Sequence, residues 1–190
     1  LFQTAGTNMV WGNTIRSNNL YGVHVNGAYG SRIVSNIIDS GATGSFQDRG
    51  VYIASGIRNL VTNNQISGHS DSGVYISVAT NTVWGNTIRS NVFYGVYLFG
   101  AAADFNRIEG NQIHGAGKQD NGVRISDGDG NVITNNFIAG HTNSGIVLVL
   151  GATSNSIVEN TVRSNAIGAA IEAGIYINST TAKRNIISGN

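Results

Sequence analysis

The chain has 190 residues, of which 41% are hydrophobic, enough for a packed core, yet only 11% are charged and the net charge is +1. It carries no Lys/Arg cluster to form a nucleic-acid footprint and no apolar run near the roughly 20 residues of a bilayer span. Cysteine is absent, which rules out disulfides and thiolate-bound metal, while glycine (26), asparagine (25) and the lack of proline point to many tight turns joining short strands.

From the N-terminus onward one short pattern opens each repeat: an apolar residue, two spacers, Asn, one spacer, an apolar residue. It runs through Val10/Asn13/Ile15, Ile33/Asn36/Ile38, Val61/Asn64/Ile66, Val83/Asn86/Ile88, Ile108/Asn111/Ile113, Ile133/Asn136/Ile138 and Ile157/Asn160/Val162, with a weaker eighth copy at Asn185/Ile187. A second pattern, Gly-apolar-any-apolar, follows at Gly22–Val25, Gly50–Ile53, Gly73–Ile76, Gly95–Leu98, Gly122–Ile125, Gly145–Leu148 and Gly174–Ile177. The key asparagines lie 23, 28, 22, 25, 25, 24 and 25 residues apart, room for about three short strands and their turns. Period-two alternation turns the apolar positions inward. One coil cannot bury its own apolar face, but coils stacked about 4.8 Å apart bury a continuous one. The expected fold is therefore all-β: a single-stranded parallel β-helix, or β-solenoid, of about eight coils of 22–28 residues, forming one domain over 1–190. Because the chain starts and stops inside the repeat, it is expected to be part of a longer solenoid, with flanking coils or end-to-end self-association covering its open strand edges.

In register, Asn13, Asn36, Asn64, Asn86, Asn111, Asn136, Asn160 and Asn185 are expected to occupy one turn of successive coils and to form an amide ladder. A longer period lies over the coil. Val10–Asn18 recurs unchanged as Val83–Asn91 and in weakened form as Ile157–Asn165, three coils later each time, so a unit of about 73 residues is copied more than twice. Such duplication multiplies a surface.

The outward positions of the Gly strands make a column: His24, Tyr52, Tyr75, Tyr97, Arg124, Val147 and Tyr176. Tyrosines at coil spacing form either a flat strip for sugar rings or a cross-strand aromatic ladder that stabilises the sheet. Tyr52, Tyr75, Tyr97, Arg124 and Tyr176 are the expected carbohydrate contacts. Two residues before each glycine runs an acidic column, Asp48, Asp71, Asp120 and Glu172, broken by Phe93 and Asn143. Neighbouring carboxylates such as Asp48 and Asp71 raise one another's pKa or share a cation, unless they are solvated turn residues. Insertions at 40–49, 116–121 and 165–173 fall on this side. Asp48, Arg49, Tyr52, Asp71, Tyr75 and His24 hold the residue types of a β-eliminating site: a base, and a cation for the uronate carboxylate. No metal or cofactor is expected. Only Asp127-Gly-Asp-Gly130 resembles a calcium loop, without the remaining ligands. His69 and His141 occupy equivalent turns three coils apart, about 14 Å, too far to share one metal.

The runs Asn13–Asn18, Tyr21-Gly22-Val23 and Arg184–Asn190 resemble the parallel β-helix repeat of the pectin-lyase-like superfamily, over essentially the whole chain. That resemblance implies a right-handed coil. It also implies kinship with polysaccharide lyases, polygalacturonases, mannuronan C5-epimerases, phage tailspikes and repetitive bacterial surface proteins. The epimerase Asp-Pro-His-Glu motif cannot occur without proline, and Arg124-Ile125-Ser126 is only an echo of a polygalacturonase motif. The function expected is a repetitive extracellular or cell-surface module with structural or adhesive duties and polysaccharide as partner. The alternatives are a polysaccharide-active enzyme of uronate-lyase or epimerase type, or its trunk, and a tailspike segment.

Overall fold

Each coil crosses three faces. In the first, Met9–Trp11, Thr14–Arg16 and Tyr21–Val25 follow one another, and the next strand, Arg32–Val34, returns to lie parallel to Met9–Trp11. This computed structural model describes residues 6–41, 47–166 and 173–190. Every third strand thus joins the same sheet, giving a first sheet of eight strands and a second and third of seven each. All pairings between coils are parallel and advance without slip: Val10 faces Ile33, Ile33 faces Val61, and Val61 faces Val83. The result is a right-handed parallel β-helix with no helical segment among the described residues, the handedness that a right-twisted strand imposes on a parallel crossover. The eighth repeat contributes only the strand Ile186–Ser188, so complete coils are fewer than the eight expected. Among the described residues no helix is long and apolar enough to cross a membrane.

The core is a set of stacked β-branched columns. Ile33, Val61, Val83, Ile108, Ile133 and Ile157 come from the first sheet; Ile38, Ile66, Ile88, Ile113 and Ile138 come from the second, all fully buried. The third sheet supplies two inward residues per strand, such as Val51 with Ile53 and Val74 with Ile76. Branched side chains stiff at χ1 stack like on like at coil spacing and lose little rotamer freedom doing so. The glycine at the start of the third-sheet strands, from Gly22 through Gly145, is there for space. A Cβ on Gly73 would stand 2.5 Å from Ile88 Cγ2, 2.8 Å from the Gly95 carbonyl oxygen and 2.9 Å from Asn91 Nδ2.

Three polar ladders hold the corners. In the first, the backbone N–H of Asn36 donates to Asn64 Oδ1 (2.9 Å), and the Asn36 amide donates to the same atom (2.9 Å). Asn64 bonds Asn86 in the same way, and Asn86 bonds Asn111. The column ends differently from the expectation. Asn160 donates to Asn190, not to Asn185 (3.1 Å from the backbone, 2.9 Å from the amide). Asn185 belongs to a second ladder, where the Asn155 backbone donates to it (2.8 Å); the same ladder runs back through Asn131, Asn106, Asn81, Asn59 and Ser31. The last interval of the first ladder is thus 30 residues, longer than any other, which is why equal spacing misassigns it. A third corner mixes residue types: Asn18, Gln47, His69, Asn91 and Gln119 follow one another, and His141 pairs with Asn165.

Candidate functional site

The third sheet presents the most structured surface. Its outward column is in register as His24, Tyr52, Tyr75, Tyr97, Arg124, Val147 and Tyr176. The N-terminal half packs ring on ring. His24 stacks on Tyr52 at 5.0 Å with 2° between planes, and Tyr52–Tyr75 and Tyr75–Tyr97 meet edge to face, both at 5.2 Å. Tyr75 is only 7% exposed, and burial pushes its phenol up to about 12. A ring held between two others, with a phenol that resists ionisation, is neither an open sugar platform nor a ready base.

A second outward column stands one residue before each glycine: Tyr21, Arg49, Ser72, Tyr94 and Asn121. Tyr21 and Tyr94 lie outside the column expected from the sequence. Their signal was the residue preceding glycine, where alternation breaks and the chain presents two outward positions three apart. Arg49 is caged there. Its guanidinium lies 3.7 Å from the Tyr75 centroid, 4.6 Å from Tyr52 and 5.7 Å from Tyr21, while Nε donates to Asp71 Oδ2 at 2.9 Å. Arg49, Tyr52, Asp71, Tyr75 and His24 are therefore one cluster. Its cation is already matched by an acid and three rings.

Asp48 and Asp71 lie on adjacent coils, the Asp71 N–H donating to the Asp48 carbonyl at 2.8 Å. Each carboxylate has its own donors: Ser70 Oγ for Asp48 (3.0 Å), Arg49 and Ser72 Oγ (3.0 Å) for Asp71. Glu172, expected in the same column, lies outside the described residues, as do parts of the 40–49 and 165–173 insertions. Asp127 and Asp129 are spent on turns, accepting from the backbones of Gly151 (3.1 Å) and Thr153 (2.7 Å).

The C-terminal half of the face opens. Val147, a short side chain between Arg124 and Tyr176, leaves a cleft lined also by Asn121, Asn143 and Ser144. Arg124 Nε reaches only Ser126 Oγ (3.2 Å), its guanidinium leans towards Tyr94 and Tyr97 at 5.5 and 5.9 Å, and it has no acidic partner among the described residues. A forked cation beside an aromatic ring and side-chain amides suits a hydroxyl-rich ligand bearing a carboxylate.

The histidines are dispersed. His69 and His141 are fully buried in the third corner ladder, and burial lowers both imidazoles to about 4. His24 is lowered as well, by burial and then by nearby positive charge including Arg49, and its Nε2 is buried without a partner. Among the described residues no three His, Asp or Glu side chains group around a common point.

A family model described as Periplasmic copper-binding protein (NosD) matches residues 38–190. Among solved structures the chain is similar to the periplasmic alginate epimerase AlgG, with TM-score 0.79 and 18% identity, covering 95% of this chain and 44% of that one. It is also similar to pectate lyase Pel9A (TM-score 0.63, 14% identity, 90% and 47% covered) and to the Dettilon tailspike protein (0.59, 17%, 91% and 38%). At these identities the likeness is one of fold, and the chain spans less than half of each of these proteins. No curated protein matches it.

Proposed function

The chain belongs to the family described as periplasmic copper-binding protein (NosD), and on that premise we propose that it is a β-helix module working in the periplasm or outside the cell that binds acidic polysaccharide along its third sheet. The observation that carries this reading is the open cleft in which Arg124 and Tyr176 flank Val147 beneath side-chain amides. The caged half of the face, from His24 to Tyr97, is the rigid support on which that cleft is built. The polysaccharide chemistry named for the epimerase and lyase of like fold is consistent with it.

Copper itself does not fit the side chains. The sequence has no cysteine and one methionine, and the described residues hold no cluster of three ligating side chains. His69 and His141 are buried in the corner ladder, where both ring nitrogens of His69 and Nδ1 of His141 contact protein groups, and the remaining His141 Nε2 is a single buried nitrogen with no second ligand beside it among the described residues.

Titration with oligouronates and with their carboxyl-reduced counterparts tests the proposal. Arg124→Gln and Tyr176→Ala are each expected to weaken oligouronate binding about tenfold or more, roughly 1.4 kcal/mol. Equal affinity for the neutral oligosaccharide, or wild-type affinity in both variants, would sink it. The same samples are assayed for unsaturated uronate. Turnover lost in His24→Gln would make the caged cluster catalytic and replace the binding module with a lyase.

A further inference from the structure

The second sheet carries its own outward columns, on a different face from the third. Arg16, Asp39, Ser67, Arg89, His114, Ala139 and Arg163 stand in register, beside Thr14, Ile37, Gln65, Thr87, Gln112, Phe137 and Thr161. Ala139 is the small member of the first column, and it opens a notch between His114 and Arg163. Phe137 floors that notch; Ala116, Gly140 and Ser164 rim it. The His114 and Phe137 rings are 5.2 Å apart, tilted by 43°, and the Arg163 guanidinium lies 4.8 Å from the Phe137 centroid. Arg163 has no acidic partner among the described residues.

Three features define what fits. An aromatic floor takes the C–H face of a ring. A forked guanidinium with no acid of its own takes a carboxylate in two hydrogen bonds. The positive side chains then continue along the axis: Arg89 precedes His114, and three coil spacings, about 14 Å, separate Arg89 from Arg163. Along that stretch the column holds no acid, the nearest being Asp39, two coils before Arg89. A ligand with one carboxylate would use Arg163 alone; a chain of them uses the whole run. Arg16, Arg89 and Arg163 are also the same position of the three-coil repeat, so the duplication preserved this charge on this face.

We propose that the notch at Phe137, Ala139 and Arg163 is a second binding site, taking one uronic-acid residue of an acidic polysaccharide whose chain runs along the second sheet towards Arg89. The sugar ring lies on Phe137, its carboxylate on Arg163, and His114 donates to a hydroxyl of the same residue. With the third-sheet cleft, the molecule then holds two polysaccharide segments on two faces. The site shares its ligand class with the reading above but none of its residues, so either can fail alone.

Isothermal titration with a uronate tetrasaccharide tests it, using the intact chain and its Arg124→Gln variant, which disables the third-sheet cleft. The expected result is two sites in the wild type and one in Arg124→Gln. Adding Arg163→Gln to that variant should lower the remaining affinity at least tenfold, and Arg89→Gln should lower it less. Both arginines are exposed, and circular dichroism confirms that the fold is kept. Chemical-shift changes at Phe137 and His114 should accompany binding in the Arg124→Gln background. The proposal is overturned if that background binds nothing, or if adding Arg163→Gln leaves its affinity unchanged. It is also overturned if the carboxyl-reduced tetrasaccharide or an oligoglutamate peptide binds as tightly. Failure of the third-sheet reading gives a different pattern: Arg124→Gln then changes neither stoichiometry nor affinity.

Discussion

Acid should unfold this solenoid through two buried histidines. His69 Nδ1 meets Gln47 Nε2 at 3.3 Å and its Nε2 meets the Ile38 carbonyl at 3.3 Å, so the ring accepts from the amide and donates to the carbonyl. A second proton on Nδ1 would confront an N–H donor. His141 takes the other tautomer. Its Nδ1 donates to Asn165 Oδ1 at 2.7 Å, and its Nε2 is buried with no acceptor for a proton. Burial lowers both from 6.5 to about 4 in the folded chain. A depressed folded pKa means that the unfolded chain binds more protons between these values. The stabilisation is therefore complete above about pH 6.5 and is lost as pH falls towards 4. At pH 5 linkage puts the loss at about 2 kcal/mol per histidine, so about 4 kcal/mol for the pair. The control is supplied by the repeat itself, because neighbouring coils place Gln47, Asn91 and Gln119 at the same corner. Urea unfolding at pH 7.5, 6, 5 and 4.5 is compared between wild type and His69→Gln/His141→Asn. Carboxylates titrate alike in both proteins, so the difference isolates the histidines. A wild type that loses no more stability on acidification than the double variant would refute the reasoning.

Asn86→Ala should cost about 2–4 kcal/mol, because it orphans the buried Asn64 N–H and removes the donor to the Val61 carbonyl at 2.9 Å; the urea midpoint reads this, and an Asn86→Asp variant that matched wild type at neutral pH would contradict the ladder's need for a donor. Gly73→Ala should cost about 1–3 kcal/mol or more by crowding Ile88 and the Gly95 carbonyl, whereas alanine at the open Gly174, whose nearest neighbour stands at 3.4 Å, should cost less, as thermal unfolding of the two would show. Arg49→Met should leave Asp71 without its ion pair and loosen the ring stack, seen as increased near-ultraviolet flexibility of the tyrosine signal with little loss of far-ultraviolet ellipticity.

The coil was written in the sequence because its cause is local. Val or Ile two residues after each Asn, and the Gly-apolar-any-apolar run after it, specify which atoms turn inward whatever lies above or below. Register and corner partners are not local. Asn185 and Asn190 are equally good ladder residues, and only hydrogen bonding across coils of unequal length assigns Asn190 to Asn160 and Asn185 to Asn155. The same holds for the site. A column of tyrosines was legible from residue spacing, but whether its rings face a ligand or one another depends on the neighbour one coil away. Arg49 fills the space over Tyr75, whereas Val147 leaves it open between Arg124 and Tyr176. His69 and His141 read as turn residues, and stacking buried them, since a turn in one coil is the interior of a column once coils lie on both sides. Composition and period thus determined the strand pattern and the apolar core by themselves. The tertiary structure decided which polar groups are spent on the fold and which remain for a ligand, because that choice is made between coils 22 to 30 residues apart in the chain.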